Sequence, residues 1–441
     1  MAAGFVLSAM PPTMTIASAE PAVVDASGAG LPAVVRAAVQ WHPRIRTTAG
    51  QLLQAGEGIA AARAGYYPQI RGGVGMQLSN RDITPYESRR LNQSSLTVSQ
   101  MIYDFGKVAG AVNRAEAGVA TARAEELLSV DDVARETALA WMELYRQQVL
   151  GRVADDQVKG VQALADLVNE RERKGASSRS DTAQASSRVD AARAQQLTAQ
   201  AQAARWRSQL TQLTGAVKPV VIAGEPPAVL GDACRAGIDA SMVNPPAVKV
   251  AEAQRALAQA DLRVADANLL PTLSLDGAVG RGIDARSRLP GENGVSTSIS
   301  VNFSAPLYEG GGNQARKRAA AYAVTAADAA VAQAQLVARQ SFQDAQAQSA
   351  GHAARQPVLA SRIESIRATR DLYRQQYLQL GTRSLLDLLN SEQEYHTARF
   401  EQADSLIEVG RLGVECLYQT DRLRSAFALE VPSTPAVGSA P

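Results

Sequence analysis

Much of this 441-residue chain consists of an internal sequence repeat, and this repeat constrains its fold more than any other feature. Residues 42–70 resemble residues 245–273, and residues 99–111 resemble residues 304–316. Matching positions are about 205 residues apart, far more than the period of solenoid or propeller repeats. The sequence therefore predicts two copies of one domain-sized unit, and each structural device of the first unit is expected again in the second.

Each unit begins with a predicted helix followed by two predicted strands. The helices cover 31–65 and 246–269 and end before Pro68 and Pro271, because proline cannot continue a helix. Apolar and polar residues then alternate, which indicates strands with one apolar face. The strands are predicted over about 68–79, 93–103, 271–282 and 295–305, and the apolar face is formed by Ile70, Val74, Met76, Leu78, Val295, Ile299, Val301 and Phe303.

Long helical runs with almost no proline follow the strands in both units. A run of about 65 residues would form a helix about 100 Å long at 1.5 Å per residue. Gly175 and Gly381 come near the end of these runs, and glycine inside a helix costs roughly 1 kcal/mol relative to alanine. The sequence therefore predicts two helical hairpins, over 107–215 and 311–425, with the two glycines at their tips.

The remaining boundaries follow from composition. Residues 1–19 are apolar and end in Ala17-Ser18-Ala19, which is typical of an export signal, although no Lys or Arg precedes the apolar stretch. A truncated or miscalled start would explain this, and a disordered N-terminus is the alternative. The first unit is predicted over 20–215 and the second over 244–425, with a linker over 216–243 and a disordered tail over 426–441.

Charge and motif content argue against several function classes. The 45 basic and 43 acidic residues are balanced and form no basic block, so no nucleic-acid partner is expected. The three histidines are far apart, and no P-loop or complete dinucleotide fingerprint occurs, so we expect no enzyme, cofactor or metal. Cys234 and Cys416 lack metal spacing; they would pair in an oxidising compartment and stay buried thiols in a reducing one.

The strands and helices both lack sufficient partners within one chain. A sheet with one apolar face is suited to a membrane barrel closed by several chains, whereas a soluble β-sandwich is the plain alternative. Alanine-rich helices suit the wall of a cylinder, or an isolated four-helix coiled coil. If the strands form no membrane barrel, the alternative function is that of a soluble periplasmic coiled-coil adaptor or stalk. The sequence contains no run of 18 apolar residues, so no transmembrane helix is expected.

From about Leu31 to Leu423 the chain resembles the TolC family of outer membrane factors, and within it the type I secretion members. The resemblance is carried by the duplicated unit, by the junctions "QMIYDFGK" and "APLYEGGGN", and by the tip "LGTRSLLDLLNSEQEYHTAR". It implies a mainly α fold with a small β part. Three chains would form a homotrimer with a 12-stranded barrel in the outer membrane and a 12-helix tunnel across the periplasm.

The resemblance also implies partners and a cargo route. The trimer would work with a periplasmic adaptor (membrane fusion protein) and an inner-membrane ABC or other transporter, and would contact outer membrane lipid. Type I protein secretion is the expected activity, and small-molecule or drug efflux is the alternative. Proteins of this family act as ducts, so the resemblance implies no catalytic residues.

By position, the resemblance implies a gate at the periplasmic tips. Arg383 would face Ser180 or Asp181 of a neighbouring hairpin, and Asp387 would point into the pore as an acidic ring. Asn390 stands where the family often has a second aspartate, which weakens the expected ring. The expected surface for the adaptor consists of Gly175, Gly381, Thr382, Leu385 and Leu386.

Overall fold

The computed structural model describes residues 28–83, 88–235, 243–284 and 295–429, so the predicted signal segment and residues 430–441 of the predicted tail lie outside the described residues. The described chain is mainly helical with one small sheet, as predicted. Its elements, in chain order, are α1 (Leu31–Trp41), α2 (Pro43–Arg63), β1 (Gln69–Ile83), β2 (Ser88–Tyr103), α3 (Lys107–Arg173), α4 (Arg179–Thr214), α5 (Ala228–Asp232), α6 (Pro246–Ala267), β3 (Thr272–Gly282), β4 (Val295–Ser304), α7 (Gly312–Gln375), α8 (Leu385–Gln419) and α9 (Leu423–Phe427).

The single helix expected over 31–65 is two helices, α1 and α2. His42 separates them because its backbone is extended, with φ −61° and ψ 129°. Pro43 follows, and the residue before a proline is disfavoured in the helical conformation. The His42 ring then caps α2 by accepting a hydrogen bond from the backbone N–H of Arg44.

The four strands form one antiparallel sheet in the order β1-β2-β3-β4. Two hairpins that are far apart in sequence are joined where β2 pairs with β3, with Leu96 opposite Val279. The first hairpin is longer than expected, because β1 continues to Ile83 and β2 begins at Ser88. Backbone pairing continues there with an irregularity between Leu78 and Ile83, since the ladder does not require apolar side chains.

Two long helical hairpins extend away from the sheet. Helix α3 has 67 residues and α7 has 64, so each is about 100 Å long. Near the sheet, α2, α3, α6 and α7 pack side by side in that order; toward the tips the order is α4, α3, α8 and α7. The result is a layer of four helices in each half, with α3 and α7 running through both. No helix in the described ranges is both long and apolar enough to cross a membrane.

The main core lies midway along the long helices, where α1, α3, α8, α9 and the segment 216–235 meet. Trp141 on α3 is fully buried there, and Phe427 on α9 is 1% exposed. Cys234 and Cys416 form a disulfide that joins the end of the segment 216–235 to α8. The predicted tail therefore starts too early at 426, because residues up to Leu429 pack on this core through α9.

Candidate functional site

The eight strand residues that alternation assigned to an apolar face do share one face of the sheet. The register places Ile70 opposite Val98, and Gly277 opposite both Val98 and Ile299, and directly opposed residues of antiparallel strands lie on the same face. All eight are exposed in the single chain; Val74 and Ile299 are each 78% exposed. The same face also carries apolar residues from the strands with weaker alternation, namely Leu96, Val98, Leu273, Leu275 and Val279.

The opposite face of the sheet is mainly polar on all four strands, with Leu91 and Met101 as apolar exceptions. Its centre is Asp276 on β3, whose carboxylate accepts hydrogen bonds from Ser99 Oγ at 2.5 Å, Ser274 Oγ at 2.9 Å and Asn302 Nδ2 at 3.0 Å. The sheet is therefore mainly apolar on one side, where Arg90 and Arg281 are exceptions, and hydrogen-bonding on the other. The other polar residues of this face are Gln69, Arg71, Gln77, Gln93, Ser95, Thr97, Thr272, Ser296, Ser298, Ser300 and Ser304.

Both outer strands of the described sheet have a neighbour on one side only. β1 pairs with β2, and β4 pairs with β3. The outward backbone groups of β1 and β4 are thus directed away from the chain's own sheet. Unpaired edges of this kind template pairing with a strand of another chain.

At the far end of the helices, the two hairpin tips share the same turn and helix-capping arrangement. Gly175 and Gly381 have left-handed backbones, with φ +75° and +62°, a conformation that glycine adopts without a steric penalty. A serine three residues later caps the next helix, Ser178 for α4 and Ser384 for α8. An aspartate three residues beyond each serine donates its backbone N–H to that cap.

The two aspartates of these caps differ in the use of their carboxylates. Asp181 completes a capping box, because its carboxylate accepts the backbone N–H of Ser178 at 3.1 Å. The carboxylate of Asp387 instead lies 3.8 Å from the guanidinium of Arg383. The carboxylate of Asp181 is thus used as a cap, whereas that of Asp387 is 42% exposed and pairs with Arg383.

A small second core holds the two tips together. Tyr377 is 6% exposed, its hydroxyl lies 3.4 Å from Ser177 Oγ, and the Arg171 guanidinium lies 4.8 Å from its ring centroid. Leu385 is 5% exposed in the same cluster, whereas Leu386 is 46% exposed. Leu385 was therefore wrongly assigned to the adaptor surface, because the first residue of α8 points into the tip core. The other members of this cluster are Val161, Leu164, Ala165, Val168, Ala185, Val189, Leu388 and Leu389.

Within the described chain, Arg383 binds its own hairpin. Its Nε donates to Gln376 Oε1 at 3.1 Å, and its guanidinium lies 4.4 Å from the ring centroid of Tyr373. Ser180, one of its expected partners, has its hydroxyl 2.7 Å from that of Ser178. A bond from Arg383 to a neighbouring hairpin would therefore have to form between copies of the chain, and it stays a prediction.

One residue near the tips was missed from the sequence. Arg188 on α4 donates from Nη2 to Asn390 Oδ1 at 3.1 Å, linking the two hairpins of one chain. Asn390 was singled out as a departure from the family pattern, but its partner lies 202 residues away. Arg188 follows Asp181 by two helical turns, which is the only signal in the sequence that it lies on the same side of α4.

A buried charge lies in the core midway along the helices. Asp131 on α3 is 2% exposed, and the Arg424 guanidinium lies 3.1 Å from its carboxylate. Burial raises the pKa of Asp131 to about 7, and the nearby Arg424 opposes that rise. Arg424 also pairs with Asp421, so one cation serves two carboxylates.

Among the residues the structure describes, no cluster of His, Cys, Asp or Glu forms a metal site.

Residues 34–216 and 237–406 match the sequence model of a family described as outer membrane efflux protein. Protein CyaE of Bordetella pertussis is 26% identical over 284 residues, which are 63% of this chain and 60% of that protein, so the chain spans less than two thirds of CyaE. Outer membrane efflux protein BepC of Brucella suis is 22% identical over 82% of this chain and 78% of its own length.

The fold also matches a solved structure over most of its length. A membrane protein from Pseudomonas aeruginosa superposes with a TM-score of 0.80 at 20% identity, covering 89% of this chain and 90% of that one. At this identity the likeness concerns the fold alone. The likeness confirms that a mainly helical chain with a small sheet is a fold already seen in a solved structure.

Proposed function

Since this chain belongs to the outer membrane efflux protein family, as the TolC resemblance predicted, we propose that it forms a trimeric channel-tunnel for export. The family also confirms the predicted location, the outer membrane with an extension into the periplasm. In the proposal, three chains close a 12-stranded barrel and continue it as a 12-helix tunnel. A periplasmic adaptor and an inner-membrane transporter would deliver the cargo, and the chain itself would catalyse no reaction.

The observation that carries this proposal is the division of the sheet into one apolar and one polar face. Val74 and Ile299 are each 78% exposed, on the same face, in a single chain. Asp276 and its three hydrogen-bond donors lie on the other face. A sheet of this kind is satisfied when lipid covers the apolar face and water the polar one.

The open edges of β1 and β4 support closure of the barrel between copies of the chain. An open sheet edge is not tolerated in a bilayer, because unpaired backbone groups cost several kcal/mol each. Four strands are too few to close, since membrane barrels of this type have eight or more. Pairing β4 of one copy with β1 of the next would satisfy every edge and give 12 strands in a trimer.

The helical layer supports the tunnel in the same way. Toward the tips, α4 and α7 are the outer helices of the layer and each packs on one long neighbour. Apolar side chains remain exposed on them, including Leu197 on α4 and Leu336 and Val358 on α7. Contact between α4 of one copy and α7 of the next would cover these side chains and close a ring of helices.

For the cargo, we propose type I protein secretion, supported by the likeness of the second tip to type I members. Small-molecule efflux is the second candidate, because one relative with long coverage, BepC, is described as an efflux protein. Deletion of the gene separates the two. Loss of one protein from the culture medium with unchanged drug susceptibility would support secretion, whereas increased drug susceptibility with an unchanged set of secreted proteins would support efflux.

Substitutions on opposite faces of β4 test the channel proposal. Ile299→Lys would place a charge against lipid, at a cost of about 2–4 kcal/mol per chain near the bilayer midplane. Ser298→Lys adds the same charge to the neighbouring residue on the polar face. We expect Ile299→Lys to reduce the detergent-stable trimer in outer membranes and Ser298→Lys to leave it near the wild-type level. Equal loss in both variants, or a wild-type chain that is soluble without detergent, would contradict the proposal.

A further inference from the structure

The hydrogen bond between Arg188 and Asn390 places a cation beside the residue that departs from the family pattern. The Arg188 Nη2 to Asn390 Oδ1 distance is 3.1 Å, and Asn390 is exposed. Asn390 follows Asp387 by three residues on α8, so the two share one face of that helix, one turn apart. Whatever space Asp387 faces, Arg188 therefore reaches toward it one helical turn deeper.

The surrounding charges do not cancel this cation. Asp387 already has Arg383 at 3.8 Å, and the carboxylate of Asp181 is engaged by the N-cap of α4. The partner of Arg188 is a neutral amide, which accepts a hydrogen bond but adds no charge. Within the described chain, the hydrogen-bond and ion-pair partners of Arg188 thus include no carboxylate that would neutralise its charge at the level of Asn390.

We infer that Arg188 is a selectivity-determining residue of the tunnel, forming with its two symmetry copies a basic ring one turn deeper than the Asp387 ring. This inference rests on the proposed function, because it requires the trimer and a pore-facing Asp387. Rings of arginine favour anions, as rings of aspartate favour cations. The periplasmic end would then admit anionic solutes and acidic segments of cargo more readily than a tunnel with two acidic rings.

The physical size of the effect follows from Coulomb attraction. A unit charge about 7 Å from a permeating ion in water changes the local concentration of that ion roughly threefold. Salt screens the interaction over about 10 Å at 0.1 M, so the effect is largest at low ionic strength. A ring of three such charges should therefore be visible in the ratio of cation to anion permeability.

The test is the reversal potential of purified trimers in planar bilayers under a KCl gradient at low salt. Arg188→Gln should raise the K⁺ to Cl⁻ permeability ratio about threefold or more. Asn390→Asp, which adds the missing carboxylate and keeps Arg188, should raise it as well. Arg193→Gln is the matched control, because Arg193 lies on the same helix but donates to Gln162 of α3.

Each outcome decides the inference. Raised ratios in Arg188→Gln and Asn390→Asp, with the control at the wild-type value, would support it. A larger conductance in Arg188→Gln with an unchanged permeability ratio would overturn it and assign the bond a purely mechanical role between the hairpins. Wild-type trimers without any conductance would overturn the proposed function, and the inference with it; this result is distinct from a conducting channel of unaltered selectivity.

Discussion

Leu385 and Leu386 are neighbours in the chain but lie in opposite environments at the second helical tip. Leu385 is 5% exposed and packs with Tyr377 in the tip core, whereas Leu386 is 46% exposed. The device that separates them is the start of α8, since Gly381 turns the chain and Ser384 caps the helix. One leucine thus packs between the two hairpins, and the other is exposed on the surface of the tip.

The first prediction uses this pair as matched variants. Leu385→Ala removes buried methyl groups and should lower the free energy of unfolding by about 2–5 kcal/mol. Leu386→Ala should change it by less than about 0.5 kcal/mol, as is usual at exposed sites. Thermal unfolding of the two variants in detergent measures the difference. Similar unfolding temperatures would contradict the burial of Leu385.

The second prediction concerns the disulfide between Cys234 and Cys416. It closes a loop over a sequence separation of 182 residues, so its removal should cost about 2–5 kcal/mol. Cys416→Ala should therefore unfold at a lower temperature than wild type. Because Cys416 is fully buried, native protein should resist reduction and denatured protein should not. Two titratable thiols in denatured, unreduced protein would contradict the bond.

The third prediction is a pH dependence that originates at Asp131. Its pKa is raised from 3.8 to about 7, so between these values the native state binds more protons than the unfolded state. Stability from this group is therefore present at low pH and is lost as the pH rises toward about 7. Asp131→Asn, which mimics the protonated form, should gain stability relative to wild type over that range and keep a constant advantage above it.

The measurement for Asp131 is the unfolding temperature of both proteins between pH 5 and pH 8. Asp328→Asn, an exposed aspartate on α7, supplies the baseline for removing a carboxylate. A pH-independent difference between wild type and Asp131→Asn would contradict the raised pKa. So would a difference that shrinks as the pH rises.

Local patterns allowed much of the fold to be predicted. Gly381 and Pro271 mark the ends of helices because backbone constraints act where the residue stands. Alternation identified the apolar residues of β1 and β4. It was weaker in β2 and β3, where Leu96 and Val279 were assigned to the apolar face only by the strand register.

The parts that the sequence did not predict depend on contacts between distant segments. The burial of Leu385 is set by α3, and the bond of Arg188 is set by Asn390 in the other hairpin. The break at His42 is a local effect of Pro43, but the helical pattern on both sides concealed it. The closed barrel and the trimer remain predictions, since each concerns contacts between copies of the chain. The duplicated unit remains a prediction as well.

We predict that the proposed trimeric tunnel is closed at its tips by contacts of Arg383 with a neighbouring hairpin; within its own hairpin Arg383 binds Gln376, Tyr373 and Asp387. Single-channel conductance in planar bilayers tests it most directly, with wild type compared with Arg383→Ser and with Arg374→Ser, an exposed arginine in the last turn of α7. We expect a small wild-type conductance that rises several-fold in Arg383→Ser alone. Detergent-stable trimers that conduct equally in all three proteins would contradict a gate at Arg383, and trimers that never conduct would contradict the tunnel itself.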